Sequence, residues 1–143
     1  MSAGNRAIMN ALMSISPKTV LIVEDMFTMR IFIKALLRPK GFNFLEAEDG
    51  LLALKLLQTA RPDLILSDLE MPHLNGLELC KRVRAIPHLS KVPFLLLTGR
   101  GRNMDRGEAE AAGISDFLSK PINAEELEAT VAKFLLPAGD AKG

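Results

Sequence analysis

Leu64-Ile65-Leu66-Ser67-Asp68 is an apolar run that halts on a carboxylate, and three other runs in the chain halt in a similar way. Val20-Leu21-Ile22-Val23 stops at Glu24-Asp25, Phe94-Leu95-Leu96-Leu97 at Thr98, and Phe117-Leu118-Ser119 at Lys120-Pro121. Short apolar runs separated by helix-like stretches read as buried parallel strands. Ligands of an open parallel sheet bind just beyond the carboxyl ends of its strands. The four stops are therefore expected to meet around one crevice, bringing carboxylates, a hydroxyl and an ammonium together. Such a set suits a divalent metal and a phosphoryl group.

Working outward, the pattern alternates strand and helix from Pro17 onward. Strands are expected over Thr19–Val23, Phe42–Ala47, Asp63–Ser67, Val92–Leu97 and Ile114–Leu118. Helices are expected over Phe27–Leu37, with Ile31, Ala35 and Leu36 on one face, and over Leu51–Ala60. A third opens after the Met71–Gly76 loop and ends before Pro87, and a fourth covers Arg102–Ala112 after a flexible Gly99-Arg100-Gly101 turn. Asn123 caps the fifth, with Glu126 completing a capping box. Five βα units with short connections predict an α/β fold, a flavodoxin-like doubly wound parallel sheet of strand order 2-1-3-4-5 with five helices. Residues 1–16 form a leader, read as a frayed tail or an amphipathic helix carrying Ile8, Leu12 and Ile15. Residues 17–136 form the domain, and the Ala/Gly-rich stretch 137–143 is a flexible tail or linker stub.

With 143 residues, 48% hydrophobic and 24% charged, the chain has the make-up of one globular domain. A net charge of +1, from 18 basic and 17 acidic residues, argues against nucleic acid or an anionic membrane as the main partner. Absence of Trp and Tyr weakens any reading by base stacking. The single cysteine, Cys80, excludes an internal disulfide and fits a cytoplasmic location. No run approaches the ~20 apolar residues that span a bilayer.

Glu24, Asp25 and Asp68 would repel one another without a cation. Oxygen-only ligation suits Mg2+, with Mn2+ as a substitute. Asp68 is the expected nucleophile, since a carboxylate can attack phosphorus and carry the group as an acyl phosphate. Lys120 would neutralise the charge that develops, and Thr98 would hydrogen-bond a phosphoryl oxygen. His73 and His88 lack partners at metal-ligand spacing and are read as surface residues; Cys80 is read as packed on the third helix.

The set Glu24-Asp25, Asp68, Thr98 and Lys120-Pro121 resembles the receiver domain of two-component response regulators over about residues 17–136. Asp68-Leu69-Glu70-Met71-Pro72-His73-Leu74-Asn75-Gly76 is similar to the family's phosphorylation loop. Thr28-Met29-Arg30 and Glu46-Ala47-Glu48-Asp49-Gly50 are similar to chemotaxis-type, CheY-like members. The resemblance implies that Asp68 accepts a phosphoryl group from a histidine kinase or histidine phosphotransfer protein. It implies that Glu24, Asp25, Asp68 and the backbone carbonyl of Glu70 place Mg2+. Thr98 and Phe117 would be the switch pair, altering the face made by helix four, strand five and helix five for a downstream protein. The implied protein is a cytoplasmic switch, monomeric or dimerising on phosphorylation, and no enzyme beyond its own slow phosphoryl loss. No nucleic acid or membrane is expected to bind it directly.

Phe117 lacks the hydroxyl of the tyrosine found in many members. Glu70 and Arg100, two residues past Asp68 and Thr98, are expected to form an ion pair partly covering the site. Arg100, Arg102 and Arg106 make the start of helix four basic. One alternative is a receiver module excised from a hybrid kinase or a DNA-binding regulator. Another is an aspartyl-nucleophile phosphohydrolase, which fits poorly because the first strand ends in Glu-Asp rather than Asp-x-Asp. A nucleotide-binding module is disfavoured because neither glycine-rich phosphate loop occurs.

Overall fold

The apolar runs are strands of one sheet in the computed structural model, which describes residues 4–5 and 17–135. β1 (Thr19–Val23), β2 (Asn43–Ala47), β3 (Leu64–Asp68), β4 (Phe94–Thr98) and β5 (Asp116–Ser119) all pair in parallel in the order β2-β1-β3-β4-β5. Between them run α1 (Phe27–Leu37), α2 (Gly50–Leu56), α3 (Gly76–Arg84) and α4 (Arg106–Ala112), with α5 (Ala124–Leu135) last. This is the flavodoxin-like, doubly wound arrangement expected from the sequence. The expected leader over 1–16, apart from the exposed helical pair Gly4-Asn5, and the tail over 137–143 lie outside the described residues.

Strand alternation splits the core in two. On one side Val20, Ile22, Leu64, Leu66, Leu95 and Leu97 pack under α1 and α5 with Ile33, Leu37, Leu127 and Val131. On the other Leu21, Ile65, Phe94 and Leu96 pack with Ala53, Leu79, Val83 and Ala109 of α2, α3 and α4. Every residue of β3 and β4 is buried, as a central parallel strand covered on both faces requires.

Several boundaries differ from expectation. α2 ends at Leu56 rather than Ala60, because Gln58 N–H to Lys55 and Thr59 N–H to Leu56 tighten the chain into i→i+3 bonds. α4 starts at Arg106 rather than Arg102. Residues Gly101–Asn103 make a short 3-10 turn, Met104 turns extended and drops into the core, and Asp105 then caps the helix through the Glu108 amide at 3.0 Å. The sheet takes in Thr98 and Ser119 at the ends of β4 and β5, so each strand runs one residue further there than expected.

The buried side of α1 also differs. Ile31 and Ala35 point to solvent, and Arg30, Ile33 and Leu37 face inward. The helix reads Phe-Thr-Met-Arg-Ile-Phe-Ile-Lys-Ala-Leu-Leu, apolar nearly all round, so periodicity alone picks the face poorly. An arginine is buried here because its donors are satisfied, as described below.

Candidate active site

Glu24 and Asp25 follow β1, Asp68 ends β3, Thr98 ends β4 and Lys120 follows β5, so the four apolar runs do deliver their final residues to one rim. Register fixes the neighbours: Val23 lies opposite Ser67, Asp68 opposite Leu97, and Thr98 opposite Ser119. One carboxylate oxygen from each of Glu24, Asp25 and Asp68 falls within 4.8 Å of the other two. Lys120 Nζ stands 2.9 Å from Asp68 Oδ1 and 3.5 Å from Glu24 Oε1.

Burial is uneven across this cluster. Glu24 is wholly buried and Asp68 is 5% exposed, whereas Asp25 is open to solvent. Burial, then the Asp25 and Asp68 carboxylates, push the Glu24 carboxyl up to about 7, with Lys120 pulling against them. Burial also works against the charge on Lys120, but Asp68, with Glu24 beside it, outweighs that and holds the ammonium above its ordinary value. Glu24 Oε2 accepts a 3.4 Å bond from the Met26 amide, while Oε1 is buried with no hydrogen-bond partner among the described residues. A buried, unsatisfied carboxylate oxygen among three carboxylates is a site short of positive charge. Hard, oxygen-only donors open to water on the Asp25 side fit a small divalent cation.

Backbone packing sets Asp68 from behind. The Gly76 amide donates to Leu69 O, and a Cβ at Gly76 would lie 2.5 Å from Asp68 O and 2.6 Å from Leu96 Cδ1. Glycine is required there so that the start of α3 can press on the strand end. Asn75 and Glu78 form a reciprocal capping box for α3, at 2.8 and 3.1 Å, a signal the sequence analysis did not single out. At the far end Asn123 caps α5 through the Glu126 amide at 2.9 Å, as expected. The Lys120-Pro121 peptide is cis, and the Lys120 amide donates to Thr98 O.

The remaining expected residues are spread around this centre. Thr98 is fully buried, its hydroxyl accepting from the Arg100 amide at 2.9 Å. Phe117 is half-buried, with the Arg106 guanidinium 5.9 Å from its ring centroid, and both line a cavity of about 200 Å³ with Ala109, Glu110 and Ile114. Glu70 donates its amide to Asp68 Oδ1 at 3.4 Å, and its carboxylate stands 3.9 Å from Arg100 Nε, both side chains being largely exposed. The expected ion pair is present but loose. His73 and His88 are exposed. Cys80 is buried and its thiol pushed up to about 11 by desolvation, so it packs rather than reacts.

Sequence reasoning missed Arg30 as a contributor to this rim. Its guanidinium donates to Glu24 O at 2.6 Å and to Glu46 Oε1 at 3.1 Å, and Lys34 reaches the same carboxylate at 2.9 Å. The available signal was a lone arginine three residues before Ile33 and seven before Leu37 on the buried side of α1.

Comparison with known proteins gives the same picture. Residues 20–132 match the family model of the response regulator receiver domain. The chain is 38% identical over 115 residues to chemotaxis protein CheY-3 of Vibrio cholerae, covering 80% of this chain and 88% of that protein. It is 41% identical over 117 residues to histidine kinase P4 of Formosa agariphila, covering 82% of this chain but only 8% of the kinase. Among solved structures it is similar to the receiver domain of a sensor histidine kinase from Pseudomonas aeruginosa, which holds a magnesium ion in its active-site cleft. That likeness has a TM-score of 0.76 at 30% identity and covers 83% of this chain and 98% of that one. By sequence, by strand order and by the charged rim of its sheet, the chain belongs to the response regulator receiver domains of two-component signalling.

Proposed function

We propose that the chain is a phosphorylation-dependent switch in which Asp68 is the phosphoacceptor. The observation that carries this reading is the Lys120 Nζ–Asp68 Oδ1 contact at 2.9 Å inside a converging set of three carboxylates. An Asp68 carboxylate oxygen attacks the phosphorus of a phosphohistidine on a kinase or phosphotransfer protein. The P–O bond forms as the P–N bond breaks, and the departing imidazole takes a proton. Lys120 loses its Asp68 partner in that step and is placed to pair with the new phosphoryl oxygens instead. Glu24, Asp25, Asp68 and the Glu70 carbonyl would hold Mg2+, or Mn2+ in its place, which supplies charge neutralisation for the incoming group. Thr98 Oγ1 exchanges its Arg100 amide bond for the phosphoryl oxygens.

The acquired charge, roughly −1.5 to −2 with strong acceptor oxygens, then biases the β4–α4 loop and Phe117. Phe117 has no hydroxyl to report its state, so its readout rests on packing into the cavity it shares with Arg106, Ala109 and Ile114. The changed face of α4, β5 and α5 controls a downstream protein or a second copy of the chain. A second reading is favoured by the kinase relative, in which the matched region is 8% of the length: the chain works as a receiver module of a larger signalling protein. Among the described residues no helix is long and apolar enough to cross a membrane.

Intact-mass spectrometry after exposure to a small acyl phosphate tests the proposal. A Mg2+-dependent phosphoryl adduct is expected on the wild type and absent from Asp68→Asn. An adduct that persists in Asp68→Asn would place the nucleophile elsewhere.

A further inference from the structure

The turn that carries Asp25 is clamped at both ends of one peptide-bonded residue. The Glu24 N–H donates to Ala47 O at 3.1 Å, and the Glu24 C=O accepts from Arg30 Nη1 at 2.6 Å. Arg30 is in turn fixed by Glu46, the residue before Ala47, and its guanidinium lies 5.6 Å from the Phe27 ring centroid. Edge strand β2 thus holds the β1–α1 turn twice: directly through Ala47, and through Glu46 by way of an arginine that is 7% exposed. Met26, the N-cap residue of α1, offers no side-chain cap, so nothing in its own side chain fixes this turn.

We propose that Arg30 is a positioning residue for the divalent-cation site, its guanidinium fork spanning Glu24 O and Glu46 to pre-set the turn that presents Asp25. The inference rests on the metal-site reading above. A planar, five-donor guanidinium can satisfy a carbonyl and a carboxylate at once, and an ammonium cannot do so in the same geometry. Pairing with Lys34 and Arg30, in spite of some burial, holds the Glu46 carboxyl below its ordinary value, which keeps the anchor ionised.

Charge and positioning predict opposite signs. By charge alone, removing a cation near three carboxylates tightens binding of a divalent cation. If Arg30 pre-sets the turn, removing it loosens binding, because the cation must then order the turn itself. Outer-shell partners of metal ligands are worth about 10- to 100-fold in affinity.

Calorimetric titration with Mg2+ alone decides between them, using wild type, Arg30→Met, Arg30→Lys and Glu46→Gln. Arg84→Met is the control: Arg84 also donates to backbone carbonyls, those of Gly113, Leu89 and Val92, but at the amino-end side of β4. The expected result is roughly tenfold weaker Mg2+ binding in Arg30→Met, a smaller loss in Arg30→Lys and Glu46→Gln, and wild-type affinity in a less stable Arg84→Met. The Asp25 and Met26 amide signals of the metal-free protein should move in the Arg30 and Glu46 variants and stay put in Arg84→Met. Unchanged or tighter binding in Arg30→Met overturns the inference, as does an equal loss in Arg84→Met, which would make it a matter of overall stability. If Arg30→Met does not fold, the milder Glu46→Gln carries the same test, and wild-type affinity there overturns the inference. A wild type that binds no Mg2+ would defeat the metal-site reading itself and is seen in the first titration.

Discussion

Leu66 and Asp68 sit two residues apart on β3, on the same side of the sheet and almost equally hidden, at 0% and 5% exposure. The same stripe runs through the neighbouring strands: Val20 and Ile22 lead to Glu24, and Leu118 leads to Lys120. Beneath the last pleat the stripe is aliphatic, and above it three ionisable groups crowd together. Burial is therefore common to both layers, while its energetic sign is not. The lower layer gains from leaving water. The upper one loses hydration that its neighbours only partly return, which leaves it short of a cation.

The contrast breaks most sharply at Asp68 against Leu66. Asp68→Asn should abolish the phosphoryl adduct altogether while leaving melting nearly unchanged, because it removes one of three mutually repelling carboxylates along with the Lys120 pair. Leu66→Ala should do the reverse, costing about 2–5 kcal/mol of stability while the folded molecules still take the adduct. Thermal melting by circular dichroism beside intact mass checks both. A Leu66→Ala protein that stays folded but fails to react would show that the layers are not separable.

Glu24→Gln sharpens the comparison within the upper layer. The Glu24 carboxyl is raised from 4.5 to about 7 in the fold, so the folded state holds the proton more tightly than the unfolded chain. Stability of the metal-free protein should therefore fall as pH rises from about 4.5 to about 7, with the full penalty present above 7. Glu24→Gln should remove that slope and, above pH 7, raise stability by about 1–3 kcal/mol. Denaturant melts in chelator at pH 5 and pH 8 measure it; a mutant that keeps the wild-type pH slope would assign the slope to another group.

The smallest effect belongs to the outermost pair. Glu70 and Arg100 are 69% and 51% exposed and 3.9 Å apart, so neither Glu70→Ala nor Arg100→Ala should shift melting by more than about 0.5 kcal/mol equivalent. If Asp68 is phosphorylated as proposed, the pair would border the approach to the phosphoryl group, and both substitutions should alter its lifetime. Equal lifetimes in wild type and variants would remove the pair from that route.

The strand order and the members of the rim were legible because each apolar run ends abruptly on a functional group. Fully apolar strands, however, hide their facing: β3 and β4 read the same on both sides, so the shared stripe of Glu24, Asp68 and Lys120 had to be seen in space. Arg30 was illegible for a related reason. A charged residue on an otherwise greasy helix is assigned outward by default, and only the Glu24 carbonyl and Glu46, distant in sequence, make its burial tolerable. The late start of α4 was hidden because Met104, which drops into the core, precedes its true cap, Asp105.

Two glycines near the site leave different room for change. A side chain at Gly76 would collide with the Asp68 carbonyl, whereas one at Gly99, directly after Thr98, would meet nothing within 4 Å. Descendants of this sequence are thus free to drift at 99, trying out side chains beside the buried Thr98 hydroxyl without disturbing the frame. Position 76 offers no such latitude. Variety among offspring of this chain should accumulate on the β4 side of the crevice, and the β3 side should pass through generations nearly untouched.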